Sequence, residues 1–487
     1  MAVENAIRHG VQWVLTGKVS HQILHFAISV ALARLLLPEH FGLVVTVQVF
    51  TGIAGFVAGG GMGQALVQAK TMTLRDTHVV FTAQLIIALL LYTLFFFIAP
   101  WFAIWFKEPI YEDLLRVSAL TFLIRPFANT PNSLLHRAMR YKAKAFINVS
   151  ILLVSGTVSI ALALAGFGVW SLVLGGLIGG ITNVVLANTI ARWRPGIAMD
   201  PEILKRLGGY GLKVSIVDII EYLRGQAANV IISRFIGPAA VGLFNKASSL
   251  RSMPLQLIAG STRTVVFRAL AQKQDNLDQS KYIYLRTITL ASVYTFPALV
   301  GLWWVAEPFI VTVYGPNWAG AAPVVQILVL SAFVGVAARQ AQAVLAARAM
   351  LGRLIAIQLT GLVLIVSGSL YAYRWDITGV AWVAMAVGIF SSSLLIHFAS
   401  KALGIKLRQI GRALQPALLL NLLLLVTLFA THEYMLAPLK ETIPAAYLLA
   451  MSVAGGSVYA VSFLYLPIRQ LETEAQRWKN WLGAIRG

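Results

Sequence analysis

Nine lysines and arginines fall inside apolar segments of this 487-residue chain: Lys18, Arg116, Arg125, Lys213, Arg224, Lys246, Arg251, Arg263 and Arg339. Only two acids share that depth, Asp218 and Glu221, three residues apart on one segment. A charge in hydrocarbon costs about 2.5–3.5 kcal/mol on insertion scales, so it normally faces a partner or a water-filled cavity. Two carboxylates cannot neutralise nine bases. The surplus predicts a cationic internal cavity, and all nine bases are candidates to line it and hold an anionic cargo. Asp218 and Glu221 are candidates for ion coupling or for a salt bridge between lobes, with Lys213, Arg224 or Lys18 as partner. His21 and His25, four residues apart and so on one helical face, are alternative proton sites or packing residues.

These side chains must be carried by membrane helices. The chain is 58% hydrophobic and 12% charged, a balance that excludes an ordinary soluble domain. Apolar stretches of about 20 residues, long enough to cross about 30 Å of hydrocarbon, recur throughout. Fourteen segments are expected, over 10–33, 41–66, 77–100, 112–135, 146–167, 168–190, 208–231, 241–265, 284–306, 321–345, 353–373, 377–399, 412–430 and 443–466. Met1 to Gly10 carries Glu4 and no cleavable signal pattern, so the first span is expected to act as its own insertion signal. The chain has no Cys, which excludes disulfides and thiolate metal sites; no metal and no cofactor are expected.

Charge asymmetry orients the spans. With the N-terminus inside, twenty-five Lys and Arg lie on the inner side against five outside: Arg34, Lys107, Arg234, Arg374 and Lys440. Both termini are therefore expected in the cytoplasm. The formal charge of +21 then reflects topology and anionic headgroups, with no need for a nucleic-acid partner.

The chain also resembles itself. Arg34, Pro38, Gly42 and Leu43 recur as Arg234, Pro238, Gly242 and Leu243, a shift of 200. Arg137-Ala138-Met139 recurs as Arg348-Ala349-Met350 and Gly168-Val169 as Gly379-Val380, a shift of 211. Duplication makes the first six spans equivalent to the next six, as parallel repeats. The expected organisation is an N-terminal lobe over 1–190, a cytoplasmic linker over 191–207 and a C-terminal lobe over 208–399. Two further helices and a cytoplasmic tail fill 400–487. The expected fold is an all-α membrane protein of two six-helix bundles plus two helices around a central cationic cleft. The shift of 200 places Lys18, His21 and His25 on Asp218, Glu221 and Gly225, so the first helix of each half carries a polar stripe.

Four motifs carry a wider resemblance: Leu32-Ala33-Arg34-Leu35-Leu36 with Pro38 and Phe41-Gly42-Leu43, Gly59 to Gln64, Arg137-Ala138-Met139, and Gly166-Phe167-Gly168-Val169-Trp170. With fourteen spans in a 6+6+2 order, they resemble the polysaccharide-transport branch, the Wzx-like flippases, of the multidrug/oligosaccharidyl-lipid/polysaccharide exporter superfamily. The resemblance implies a V-shaped bundle that moves lipid-diphosphate-linked oligosaccharides across the bacterial inner membrane. The implied cargo is an undecaprenyl-diphosphate-linked repeat unit, handed on to polysaccharide polymerase and export machinery. Arg suits such a cargo because its planar fork matches phosphate oxygens. Two relatives of that reading stay open, a peptidoglycan lipid-precursor flippase and a cation-coupled drug exporter, although the latter favours an acidic cavity. An enzyme is not expected. His40, Glu108, Glu112, Asp113, Glu307 and His432 form no spacing-defined set, and no HExxH, Walker or GxSxG pattern occurs. Glycines such as Gly59-Gly60-Gly61 and Gly175-Gly176 are expected to permit close helix packing.

Overall fold

A computed structural model describes residues 20–59, 61–69, 71–256 and 276–486, with side chains for all of these except 209–217 and 484–486. The described residues hold helices and turns and no strand. In the first half these are α1 (20–35), α2 (Pro38–Gly59), α3 (Met62–Gln68), α4 (Leu74–Phe106), α5 (Ile110–Arg137), α6 (Tyr141–Leu164), α7 (Val169–Ala191), α8 (Pro201–Phe235) and α9 (Pro238–Pro254). The second half has α10 (Leu277–Trp304), α11 (Ala306–Tyr314), α12 (Ala321–Ala347), α13 (Leu351–Ala372), α14 (Asp376–Leu403), α15 (Leu407–Thr431), α16 (Ala437–Thr442), α17 (Pro444–Tyr465) and α18 (Glu472–Arg486). Helices occupy most of the described part of every expected segment, while residues 10–19 of the first and 257–265 of the eighth lie outside the described residues. Nine stretches among the described residues are long and apolar enough to cross a membrane.

Two local features depart from expectation. The second segment is broken: α2 stops at Gly59, and Gly61 takes φ 58 before α3 begins. Gly61, the residue just before α3, thus uses the left-handed region open to glycine. The expected cytoplasmic tail contains α18, which is docked rather than free. Glu474 of α18 bonds Arg286 of α10 at 3.3 Å, and the Trp478 indole donates to the Tyr294 hydroxyl at 2.9 Å.

Contacts divide the chain into two compact units, Met1–Gly242 and Leu243–Gly487. In the first, α2 touches α4, α5, α7 and α8, so residues 201–235 pack with this unit. In the second, α12 packs on α10 and α14. Its small residues Ala337, Ala338, Ala341 and Ala343 are buried and allow close approach.

Helices in hydrocarbon must satisfy their own backbone groups. A proline inside a helix removes one N–H and strands the carbonyl four residues earlier. Three such carbonyls are each repaired from a neighbouring helix. Pro100 strands Phe96, whose oxygen receives Arg116 Nε at 3.4 Å. Pro131 strands Phe127, bonded by Asn188 Nδ2 at 2.8 Å. Pro297 strands Val293, bonded by the Tyr459 hydroxyl at 2.5 Å.

The internal repeat is visible in the backbone. Leu36 N bonds Leu32 O and Ile236 N bonds Ile232 O, a shift of 200. The turn after α5 bonds Ala138 to Leu134, Met139 to His136 and Arg140 to Leu135. The turn after α12 bonds Arg348 to Val344, Ala349 to Ala346 and Met350 to Leu345. Met139 and Ala349 share a positive φ, 53 and 55. The equivalence at this turn is thus a shift of 210, one less than the Arg-Ala-Met match gives, because hydrogen-bond position and not residue identity defines the turn.

Within the first unit the duplicated turns meet. A Cβ on Gly42 would lie 1.7 Å from Pro238 O, and one on Gly242 would lie 1.9 Å from Pro38 O. Any side chain at either position forces two backbones apart. Gly42→Leu or Gly242→Leu should therefore lower the thermal unfolding temperature of the purified protein, with a loss of about 1–3 kcal/mol or more. Gly225→Ala, where nothing lies within 4 Å, should leave it unchanged or raised.

Candidate functional site

On α5, Arg125, Asn129, Asn132, Ser133 and His136 follow one another at intervals of four, three, one and three, which puts them on one helical face. That face lines a cavity of 820 Å³ in the first unit. Opposite stand Gln64 and Gln68 of α3, Gln84 of α4, Lys144 of α6, Gly176, Gly180 and Asn183 of α7, and Asp218 of α8. A second cavity of 480 Å³ is lined by Gln48, Thr51, Gly52, Ser118, Leu172 and Tyr222 among others. The two share Gly55, Phe56, Thr121, Arg125 and Gly176. Arg125 therefore stands where two chambers join.

Missing side chains on α2 make room for it. A Cβ on Gly55 would lie 1.7 Å from Arg125 Nη1, and one on Gly52 would lie 2.1 Å from the Tyr222 hydroxyl. Spaced three apart, these glycines form adjacent notches on one face. Tyr222 lies in its notch and donates to Gln48 O at 2.8 Å. Asp218 shares the larger cavity with Arg125, yet among the described residues no ion pair joins them, and none engages Asp218 or Glu221.

The amides are held by the scaffold. Asn132 Nδ2 donates to Ala128 O at 2.9 Å and to Asn183 Oδ1 at 3.0 Å. Gln84 is 1% exposed; its Nε2 donates at 3.0 Å to the oxygen of Gly59, where α2 ends. Arg137, from one of the four motifs, caps the C-terminal end of α3 by donating to Leu66 O at 2.8 Å and Ala69 O at 2.6 Å.

The remaining expected residues are dispersed. Lys18 and Arg263 lie outside the described residues, as does the side chain of Lys213. His21 and His25 stack on α1 with ring centres 6.2 Å apart, one face as expected. Arg224 and Glu221 lie on α8 and line neither cavity. Arg116 is engaged locally: besides the Phe96 carbonyl it pairs with Glu112 at 2.7 Å and covers the Phe96 ring. In the second unit Lys246 is buried, 4.7 Å above the Tyr314 ring and 4.9 Å above that of Trp318. Arg251 donates to Ser331 Oγ at 3.1 Å, and Arg339 is half-buried on α12. Sorting charges within apolar segments passes over the amides and Tyr222, which carry no charge, and Lys144, which lies just before the 146–167 segment. The α5 spacing of Asn129 and Asn132 beyond Arg125 is the signal in the sequence that finds them.

The notch makes Gly55 and Arg125 a coupled pair. Gly55→Val should destabilise the purified protein by about 1–3 kcal/mol through overpacking. Adding Arg125→Ala should recover part of that loss, a coupling of about 0.5–3 kcal/mol in a double-mutant thermal unfolding cycle. Strict additivity would place the guanidinium elsewhere.

The family described as polysaccharide biosynthesis protein matches residues 31–323. The succinoglycan biosynthesis transport protein ExoT of Rhizobium meliloti (strain 1021) is 26% identical over 325 residues, 67% of this chain and 66% of its own length. The lipopolysaccharide biosynthesis protein WzxC of Escherichia coli (strain K12) is 22% identical over 330 residues, 67% of each chain. The teichuronic acid biosynthesis protein TuaB of Bacillus subtilis (strain 168) is 22% identical over 332 residues, 68% of each. The chain thus spans about two thirds of the length of these relatives. Among solved structures, the lipid II flippase MurJ in an inward closed conformation has a TM-score of 0.74 at 16% identity, covering 93% of this chain and 98% of that one. An inward-facing multidrug resistance MATE family transporter reaches 0.61 at 17%, covering 79% and 94%. The fold is that of MurJ and of the MATE transporter, and the chain belongs to the polysaccharide biosynthesis protein family.

Proposed function

We propose that this protein is a flippase that carries a lipid-diphosphate-linked oligosaccharide across the bacterial inner membrane by alternating access. The observation that carries the reading is Arg125, set at the junction of two chambers with no carboxylate paired to it among the described residues. A guanidinium so placed offers a planar fork to diphosphate oxygens. The names of ExoT, WzxC and TuaB, each tied to a different surface polysaccharide, support a glycan cargo on an undecaprenyl-diphosphate carrier. A peptidoglycan lipid precursor has the same anchor and is the second reading, favoured by the MurJ likeness in fold. A drug exporter fits less well, since Asp218 is the one acid lining the larger cavity beside Arg125 and Lys144.

In this reading both termini are cytoplasmic, the halves over 1–190 and 208–399 rock against each other, and the protein is not an enzyme. Lys18, Lys213, Arg224, Lys246, Arg251, Arg263 and Arg339 add positive charge along the path, whereas Arg116 is neutralised by Glu112. Asp218 and Glu221, with His21 and His25, serve ion coupling or hold the lobes, and polymerase and export machinery receive the product.

Deleting the gene should make a lipid-linked glycan accumulate on the cytoplasmic face; accumulation on the outer face would overturn the reading. In complementation of that strain, Arg125→Gln should lower surface polysaccharide about tenfold or more, and Arg125→Lys should be intermediate, keeping charge but losing the fork. Asp218→Asn with Glu221→Gln should impair export at unchanged membrane levels. Full complementation by that pair would remove both acids from the mechanism.

A further inference from the structure

Among the described residues, the lining of the larger cavity is far richer in amides than in charge. Its charged lining is Arg125, Lys144 and Asp218, with His136 at one side. Its amides are Gln64, Gln68, Gln84, Asn129, Asn132 and Asn183. A carboxamide presents an acceptor oxygen and two N–H donors. A sugar hydroxyl likewise donates and accepts, so the two match in either direction. A sugar carboxylate only accepts and carries charge, and an unpaired charge away from bulk water is unfavourable. The cation nearest the chamber junction is Arg125, already assigned to the diphosphate, and Asp218 offsets part of what Lys144 offers.

Hydrogen-bond accounting points the same way. Gln84 spends its Nε2 on Gly59 O, while its buried Oε1 has no partner among the described residues. An amide wall offers both donors and acceptors, and a hydroxyl can meet either whereas a carboxylate can meet only a donor. Asn132 spends Nδ2 on Ala128 and Asn183, which leaves Asn132 Oδ1 and Asn183 Nδ2 as one acceptor and one donor at the wall. Gln64 and Gln68 are exposed to the chamber. The volume of 820 Å³ lies within the range of about 300–1,000 Å³ typical of ligand pockets.

We propose that this chamber of the first unit is a glycan subsite that selects uncharged, hydroxyl-rich sugars, beside the diphosphate held by Arg125. The proposal rests on the flippase reading and narrows its substrate.

Two probes separate the claims in proteoliposomes of the full-length protein: undecaprenyl diphosphate bearing four glucosyl units, and the same lipid with glucuronosyl units in their place. The neutral probe should be flipped about tenfold faster or more. Gln64→Leu with Gln68→Leu should slow the neutral probe several-fold and leave the charged one nearly unchanged. These side chains make no hydrogen bond among the described residues, so the variant retains its packing. Asn183→Arg should narrow or reverse the preference. Equal rates for both probes, or a preference for the glucuronosyl lipid, would overturn the subsite while leaving the flippase standing. Failure to flip either probe would sink the flippase reading and the subsite with it.

Discussion

Hydrocarbon offers no hydrogen-bond partner, and that constraint decides where the polar groups of this protein go. Each helix can satisfy its own backbone until a proline interrupts it. Arg116, Asn188 and Tyr459 then act as donors to the carbonyls that Pro100, Pro131 and Pro297 leave bare. This gives Arg116 a local structural task that its position in an apolar segment does not reveal. Arg125 has no such task. Its place beside two chambers, rather than against a stranded carbonyl, sets it apart from Arg116.

Glycine supplies the complementary device. Gly42 and Gly242 let duplicated turns touch backbone to backbone, and Gly52 and Gly55 let Tyr222 and Arg125 lie against α2. Both pairs work through an absent Cβ, and both use one helix, α2, which touches α4, α5, α7 and α8. The site is therefore built where α2 is thinnest. Gly175 acts similarly, since a Cβ there would meet Ser159 Oγ at 1.9 Å, whereas its neighbour Gly176 has nothing within 4 Å and faces the chambers.

Much of this scaffold is legible in the chain. Apolar length alone marks the segments, because a span has to be long and apolar whatever it packs against. The break at Gly59 to Gly61 is not legible in that way: a glycine cluster inside an apolar run reads equally as a packing surface, and the φ of Gly61 decides between the two. The docking of α18 is equally hidden, since it depends on Arg286 and Tyr294 nearly two hundred residues earlier. At the site, charge sorting finds Arg125 and Asp218 but passes over Asn132, Asn183 and Gln84. Amides carry no formal charge, and their importance comes from which atoms stay unbonded after folding.

Duplication accounts for the scaffold, and divergence accounts for the chemistry placed on it. The turns at 138 and 348 keep three hydrogen bonds in common and those at 36 and 236 keep one, while side chains between them have changed. Thr46, which bonds Ser233 at 2.8 Å, has Lys246 as its counterpart at a shift of 200, and Lys246 lies over aromatic rings instead. At the shift of 210, the Asn129 and Asn132 of α5 fall on Arg339 and Gln342 of α12. The face that carries two amides in the first unit thus carries a cation and an amide in the second. Arg339 is thereby the counterpart of a cavity-lining position, and the one-residue difference in register is what reveals it. At 211, Asn129 would fall on Gln340 and that relation would vanish.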